Sequence, residues 1–303
     1  MKKLSCAAAA VSGLFAASVS AEMFPPETLL SGYTVSEQAC KAQSSSVWVV
    51  VDGKGDCIRY YAAGLSSGSN KYAIFYLHGD RLWGANPISY DDNDSAKQQA
   101  KIDDIQKEVG LPFIMVARPG TYGSSGSHVH RREKREVMLN NAAIAALRKR
   151  YAIEHAAVTG QSGGGANAAY VLTQQPDLSC VVLTSSALSM NTILAADVKS
   201  IYDTSNSGLY DPIQHVAEVK PNDARKVFVI GMEGDKFSPF ANQKEFAEAL
   251  KAKGHNVFLI HGKAAGSYGH TLDRTGRTVS KWCLTGIPVQ EIIERVEKHQ
   301  VEG

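Results

Sequence analysis

Six short apolar runs, at residues 72–77, 113–117, 156–159, 180–184, 227–230 and 257–260, dominate the fold options of this chain. They lack the polar alternation of a half-solvated strand, so each reads as a strand buried on both faces. Segments of helical character lie between them at 95–109, 132–151, 166–174 and 241–252, and 288–300 closes the chain as a helix. Asp94 or Ser95 can cap the first of these helices, and Gly110, with Pro112 beyond it, stops it. Strands of this kind alternating with helices predict an α/β class, with a mostly parallel sheet covered on both sides. Ahead of them, residues 46–51 and 57–62 flank the turn Asp52-Gly53-Lys54-Gly55-Asp56 and predict an antiparallel hairpin at the sheet edge. The polar, Pro- and Ser-containing residues 22–46 read as an extended arm. There is no internal repeat and no linker, so 22–303 is expected to be one domain. Residues 187–222 fit no strand–helix unit. Inserted after the sixth strand, they would lie over the carboxyl ends of the sheet as a lid or cap.

The first 21 residues read separately. Met1-Lys2-Lys3, an alanine-rich apolar stretch and Val19-Ser20-Ala21 have the order of a secretory signal peptide, which predicts export to the periplasm or beyond. No later stretch is apolar for long enough to predict a membrane span. Removing this segment takes two lysines from 32 basic residues and leaves them level with the 30 acidic ones. A neutral chain has no electrostatic reason to bind nucleic acid or an anionic membrane. The run Arg131-Arg132-Glu133-Lys134-Arg135-Glu136 interleaves both signs at helical spacing and reads as a solvated helix start. Beyond Cys6, four cysteines remain in an exported chain, which predicts two disulfides. Of three possible pairings, Cys40–Cys57 and Cys180–Cys283 are favoured, because they tie the arm to the hairpin and the tail to a core strand.

Gly160-Gln161-Ser162-Gly163-Gly164 carries the chemistry. It fits G-x-S-x-G and joins the strand at 156–159 to the helix at 166–174, the context in which that motif lifts a serine hydroxyl off a sharp turn. The helix start behind it offers free N–H groups to a developing oxyanion. A serine needs a base to take its proton and an acid to orient that base.

The order of strand ends is His78-Gly79-Asp80, Arg118-Pro119-Gly120, the serine turn, Gly234-Asp235 and finally Gly269-His270. This resembles the α/β-hydrolase superfamily over about residues 46–300, and within it the secreted bacterial serine esterases and the dienelactone-hydrolase or prolyl-oligopeptidase-like branch. The resemblance implies Ser162 as nucleophile, Asp235 as acid and His270 as base. Glu233 is the substitute acid and His261 the rival base. Each implied residue also follows an apolar run by a few positions, where catalytic loops of such sheets lie. The resemblance further implies an oxyanion hole from the Gly163 amide and that of Asp80, or Gly79. An acid at position 80 departs from the family pattern and must be turned away or paired, with Arg81 or Arg118 as partners.

His78 reads as a structural hydrogen-bonder of its loop, and His215 as a helix residue packing the lid. His128 and His130 lack an obvious third metal ligand, and Asp91, Asp92 and Asp94 lack calcium-loop spacing, so neither metal nor cofactor is expected. Trp83, Tyr122 and Tyr268 flank the site as candidate substrate-pocket residues. The expected function is cleavage of a small-molecule carboxylic ester. A peptidase with the same triad and a non-catalytic binding protein on the same scaffold are the alternatives.

Overall fold

The computed structural model describes residues 22–88, 90, 93–190, 192, 208–266 and 268–299. The leader-like residues 1–21 lie outside the described residues, as do residues 193–207, Asp91 and Asp92. Eight strands form one sheet in the order β1-β2-β6-β3-β7-β8-β9-β10. They are β1 Ser46–Val51, β2 Lys54–Ala63, β3 Asn70–Leu77, β6 Phe113–Val116, β7 Ile153–Gln161, β8 Cys180–Thr184, β9 Lys226–Gly231 and β10 Val257–His261. A separate two-stranded ribbon joins β4, Leu82–Trp83, to β5, Asn86–Pro87. Within the eight-stranded sheet the β1–β2 and β2–β6 pairs are antiparallel and the other pairs are parallel, while the β4–β5 ribbon is antiparallel. The hairpin thus occupies the sheet edge that its sequence predicts.

Both faces of the sheet are buried, which explains the unbroken apolar runs. Alternate residues of one strand serve opposite cores. Phe75, Leu77, Val158, Val181 and Leu183 meet helices α4 (Lys134–Arg150), α5 (Gly163–Gln174) and α6 (Phe240–Ala252). Ile74, Tyr76, Ala157, Val182 and Phe228 meet α3 (Ser95–Val109), α7 (Asp273–Leu284) and α8 (Val289–Glu297). Asp94 caps α3, its Oδ1 accepting the Lys97 N–H at 2.8 Å. The first half of helix α7 packs through small and polar residues, with Gly276 lying against Thr159 and Thr184, while its buried apolar residues, Val279, Cys283 and Leu284, all fall in its second half.

Two sequence readings change. Residues 22–46 form two short helices, α1 (Thr28–Ser31) and α2 (Glu37–Ala42), rather than an extended arm, and Phe24, Leu29, Val35 and Cys40 are buried. The charged run at 131–136 is not a solvated helix face, because Arg131, Arg132 and Glu136 are buried. Of the expected lid at 187–222, residues 191 and 193–207 lie outside the described residues. Pro212–Glu218 is a 3-10 helix whose Val216 joins the core, and His215 stacks on Tyr210 at 4.6 Å. The favoured disulfides, Cys40–Cys57 and Cys180–Cys283, are both present. Among the described residues, no helix is long and apolar enough to cross a membrane.

Candidate active site

The turn between β7 and α5 holds Ser162 at φ 56° and ψ −124°, a region that L-residues rarely occupy. The glycines around it make that turn possible. A Cβ on Gly160 would collide with the Gly164 carbonyl, and one on Gly164 with the Leu77 carbonyl. Ser162 stands at the carboxyl edge of the sheet and lines a cleft of about 350 Å³ that Gly79, Asp80, Gln161 and His270 also line.

His270 follows β10 on a loop. Its Nδ1 faces both carboxylate oxygens of Asp235, at 3.0 and 2.9 Å. Asp235 is buried and has a fixed direction, because its Oδ1 also accepts the N–H groups of Phe237 and Ser238 at 2.8 and 2.9 Å. The pairing leaves the ring's Nε2 for other chemistry. Glu233 lies instead near His261, 3.9 Å away, and His261 stacks on Phe240, so neither rival residue joins this arrangement. Gln161 is a residue that the sequence reading did not single out. Its Nε2 donates to the His270 carbonyl at 2.7 Å and its Oε1 accepts the Leu272 N–H at 3.2 Å, which ties the histidine loop to the serine turn. No motif marks it, because its role depends on a segment more than a hundred residues away.

A buried charge network lies on the other side of the serine. Arg118 Nη1 is 2.8 Å from Asp80 Oδ1, while Arg132 and Arg131 approach Oδ2 at 3.2 and 3.4 Å. Arg118 is therefore the partner of the unexpected acid, and Arg81 is not. Burial alone would raise the Asp80 pKa, but the charges of Arg132, Arg118 and Arg131 outweigh it and hold the carboxyl well below its ordinary range. Glu136 completes the network. It accepts from Arg118 at 2.8 and 3.1 Å, from the Arg132 N–H, and from Asn167 Nδ2 at 3.2 Å. Asn167 also donates to the Gly163 carbonyl at 3.0 Å, and Arg118 to the His78 carbonyl at 3.0 Å. One network thus anchors both the loop at 78–80 and the first turn of α5. Among the described residues, neither the Gly163 nor the Asp80 amide N–H meets an acceptor.

His78 is fully buried, with Nδ1 2.7 Å from the Gly79 carbonyl and Nε2 3.1 Å from Thr121 Oγ1, which fits a structural role in its loop. His128 lies beside it and its Nε2 accepts the Arg81 N–H at 3.0 Å. Burial first, then neighbouring arginines, pushes both imidazoles well below the ordinary histidine pKa.

A parallel sheet in this strand order, with a strained serine turn after β7 and a carboxylate–histidine pair past β9 and β10, is now complete. The chain has the α/β-hydrolase fold. Its residues 131–281 match the model of the prolyl oligopeptidase family. Among solved structures, it is similar to an acylaminoacyl peptidase of Pyrococcus horikoshii, at 18% identity and TM-score 0.53 over 84% of this chain and 41% of that one. The chain therefore spans about two fifths of the length of that peptidase. It is also similar to an esterase of Pyrococcus furiosus, at 16% identity and TM-score 0.54 over 88% of this chain and 95% of that one. No curated protein sequence matches it.

The three candidate pocket aromatics divide. Trp83 lines the cleft, and its ring centroid is 5.0 Å from that of Phe237, which meets His270 edge-on at 5.1 Å. Tyr268 is exposed and packs on Phe237 at 5.0 Å, at the rim. Tyr122 does not line the cleft: it is buried against Phe24, His78 and Tyr90. The cleft instead includes Tyr76, Arg81, Ile88, Lys101, Phe237 and Asp273, none of which carries a sequence signal for such a place.

Proposed function

We propose that this protein is an exported serine hydrolase that cleaves carboxylic esters. His270, oriented by Asp235, takes the proton from Ser162 as the hydroxyl attacks an acyl carbonyl. The amides of Gly163 and Asp80, or Gly79, receive the oxyanion. The alcohol leaves with the proton, and water then repeats the sequence on the acyl-enzyme. The observation that carries this reading is the strained Ser162 turn opening into the same cleft as an imidazole whose Nδ1 is held by a buried carboxylate. Export is supported by the leader-like sequence and by two disulfides, which persist in oxidising compartments.

The esterase neighbour is matched over nearly its whole length, whereas the acylaminoacyl peptidase is matched over less than half. Ester cleavage is therefore the first reading, and cleavage of a peptide amide is the second, favoured by the family match. A fluorophosphonate probe should label Ser162, and a panel of acyl esters should be turned over faster than peptide amides. Ser162→Ala should abolish both labelling and turnover, and Asp235→Asn should lower kcat by roughly 10⁴-fold. Undiminished turnover in Ser162→Ala would remove the nucleophile assignment. An unlabelled, inactive parent would point to a non-catalytic binding protein.

A further inference from the structure

The cleft that holds Ser162 and His270 is lined by the apolar Leu82, Trp83, Ile88 and Phe237 and by two cations, Arg81 and Lys101. Neither cation has a carboxylate within ion-pair distance among the described residues, and the buried Arg81 Nε meets no acceptor. The guanidinium instead rests over the Tyr122 ring, 5.8 Å from its centroid. Among the described residues, Asp273 is the one carboxylate besides Asp80 that lines the cleft, and both are engaged elsewhere. Asp273 pairs with Arg277 at 2.9 Å, and Asp80 is held by its three arginines. Nearby Glu108 is likewise taken, by Arg274 at 2.6 Å and Arg277 at 3.4 Å. Among the described residues, Arg81 and Lys101 therefore line the cleft with no ion pair of their own, and the nearest opposing charge on Lys101 is that of Asp273, which is shared with Arg277. Desolvation at the cleft wall, and next the charge of Arg81, lowers the Lys101 ammonium's pKa. That is the condition of a cation that gains from an arriving anion. The buried Arg81 Nε is costly to leave unmet unless a ligand meets it, whereas Lys101 is exposed to water.

Resting on the hydrolase reading above, we infer that the substrate is an ester with an apolar body and a carboxylate at its far end, and that Arg81 and Lys101 bind that carboxylate. The cations then set which ester is cleaved and where its carbonyl sits relative to Ser162. A neutral ester of the same length fills the apolar wall but leaves both cations unmet.

The test compares para-nitrophenyl hexanoate with the para-nitrophenyl monoester of adipic acid, which has the same chain length and adds the carboxylate. The monoadipate should show a kcat/KM roughly 10- to 100-fold higher, the worth of one charged hydrogen-bonded contact. The advantage should shrink as salt is raised. Arg81→Gln and Lys101→Gln should each reduce the ratio of the two rates toward unity, with Arg81→Lys keeping part of it. Hydrolysis of the neutral ester with no preference for the charged one, or a preference that survives both glutamine variants, would overturn the anion site while leaving the hydrolase reading intact. A chain that cleaves neither ester and resists the fluorophosphonate probe would overturn the hydrolase reading and this inference with it.

Discussion

Two groups of cations flank the same serine, and they are built in opposite ways. Arg118, Arg131 and Arg132 are buried and converge on Asp80, and Glu136 engages Arg118 and the Arg132 backbone. Arg81 and Lys101 line the open cleft and, among the described residues, have no carboxylate within ion-pair distance. The first group uses its charge internally: it neutralises an acid beside the Gly163 amide and fixes two loops to one frame. The second group leaves its charge available. Pairing, rather than charge alone, separates a cation that holds a structure from one that waits for a ligand.

The contrast can be broken most directly at Asp80. Asp80→Ala leaves the cage with an uncompensated buried charge and should cost about 3 kcal/mol or more of stability, read as a lower urea midpoint. It should also lower kcat, because the 78–80 loop loses its anchor. A variant as stable and active as the parent would show that the cage does no structural work.

A pH experiment sharpens the same comparison. His78 and His128 sit beside the paired group and are held neutral by burial, below the ordinary value of 6.5. The unfolded chain binds protons there that the folded chain does not, so stability rises with pH and is lost as pH falls below about 6.5. Each imidazole contributes a slope of about 1.4 kcal/mol per pH unit over the window between its two pKa values. His128→Gln should flatten that limb, measured as urea midpoint against pH. The Asp80 carboxyl has the depressed pKa of a paired acid, so its stabilising share is complete above the unfolded value of 3.8 and is lost only in stronger acid. The two limbs are therefore separable.

The smallest effect belongs to the open end. Lys101→Gln should change stability by no more than about 0.5 kcal/mol, since no ion pair is lost. A large destabilisation would move Lys101 into the structural group and weaken the case for a bound carboxylate.

Much of this architecture was legible in the linear chain. The unbroken apolar runs announced a two-sided sheet, since only strands buried on both faces can dispense with polar alternation. The glycines around Ser162 announced a strained turn, because backbone approaches there exclude a Cβ. Spacing after late strands pointed to Asp235 and His270, and the coordinates bring those two side chains into contact. The charged run at 131–136 was not legible in the same way. Its helical spacing of opposite charges is equally compatible with a solvated face and with a buried network, and only the position of Asp80 on a distant loop decides between them. Helix α7 escaped notice because its first half buries small and polar residues, and Gln161 because its partner lies far along the chain. Local periodicity and turn chemistry are written into neighbouring residues, so the sequence by itself determined the sheet, its two cores and the serine turn. Which charges are paired, which aromatic reaches the cleft and which cations stay open depend on residues brought together from across the chain, and the tertiary structure alone decided them.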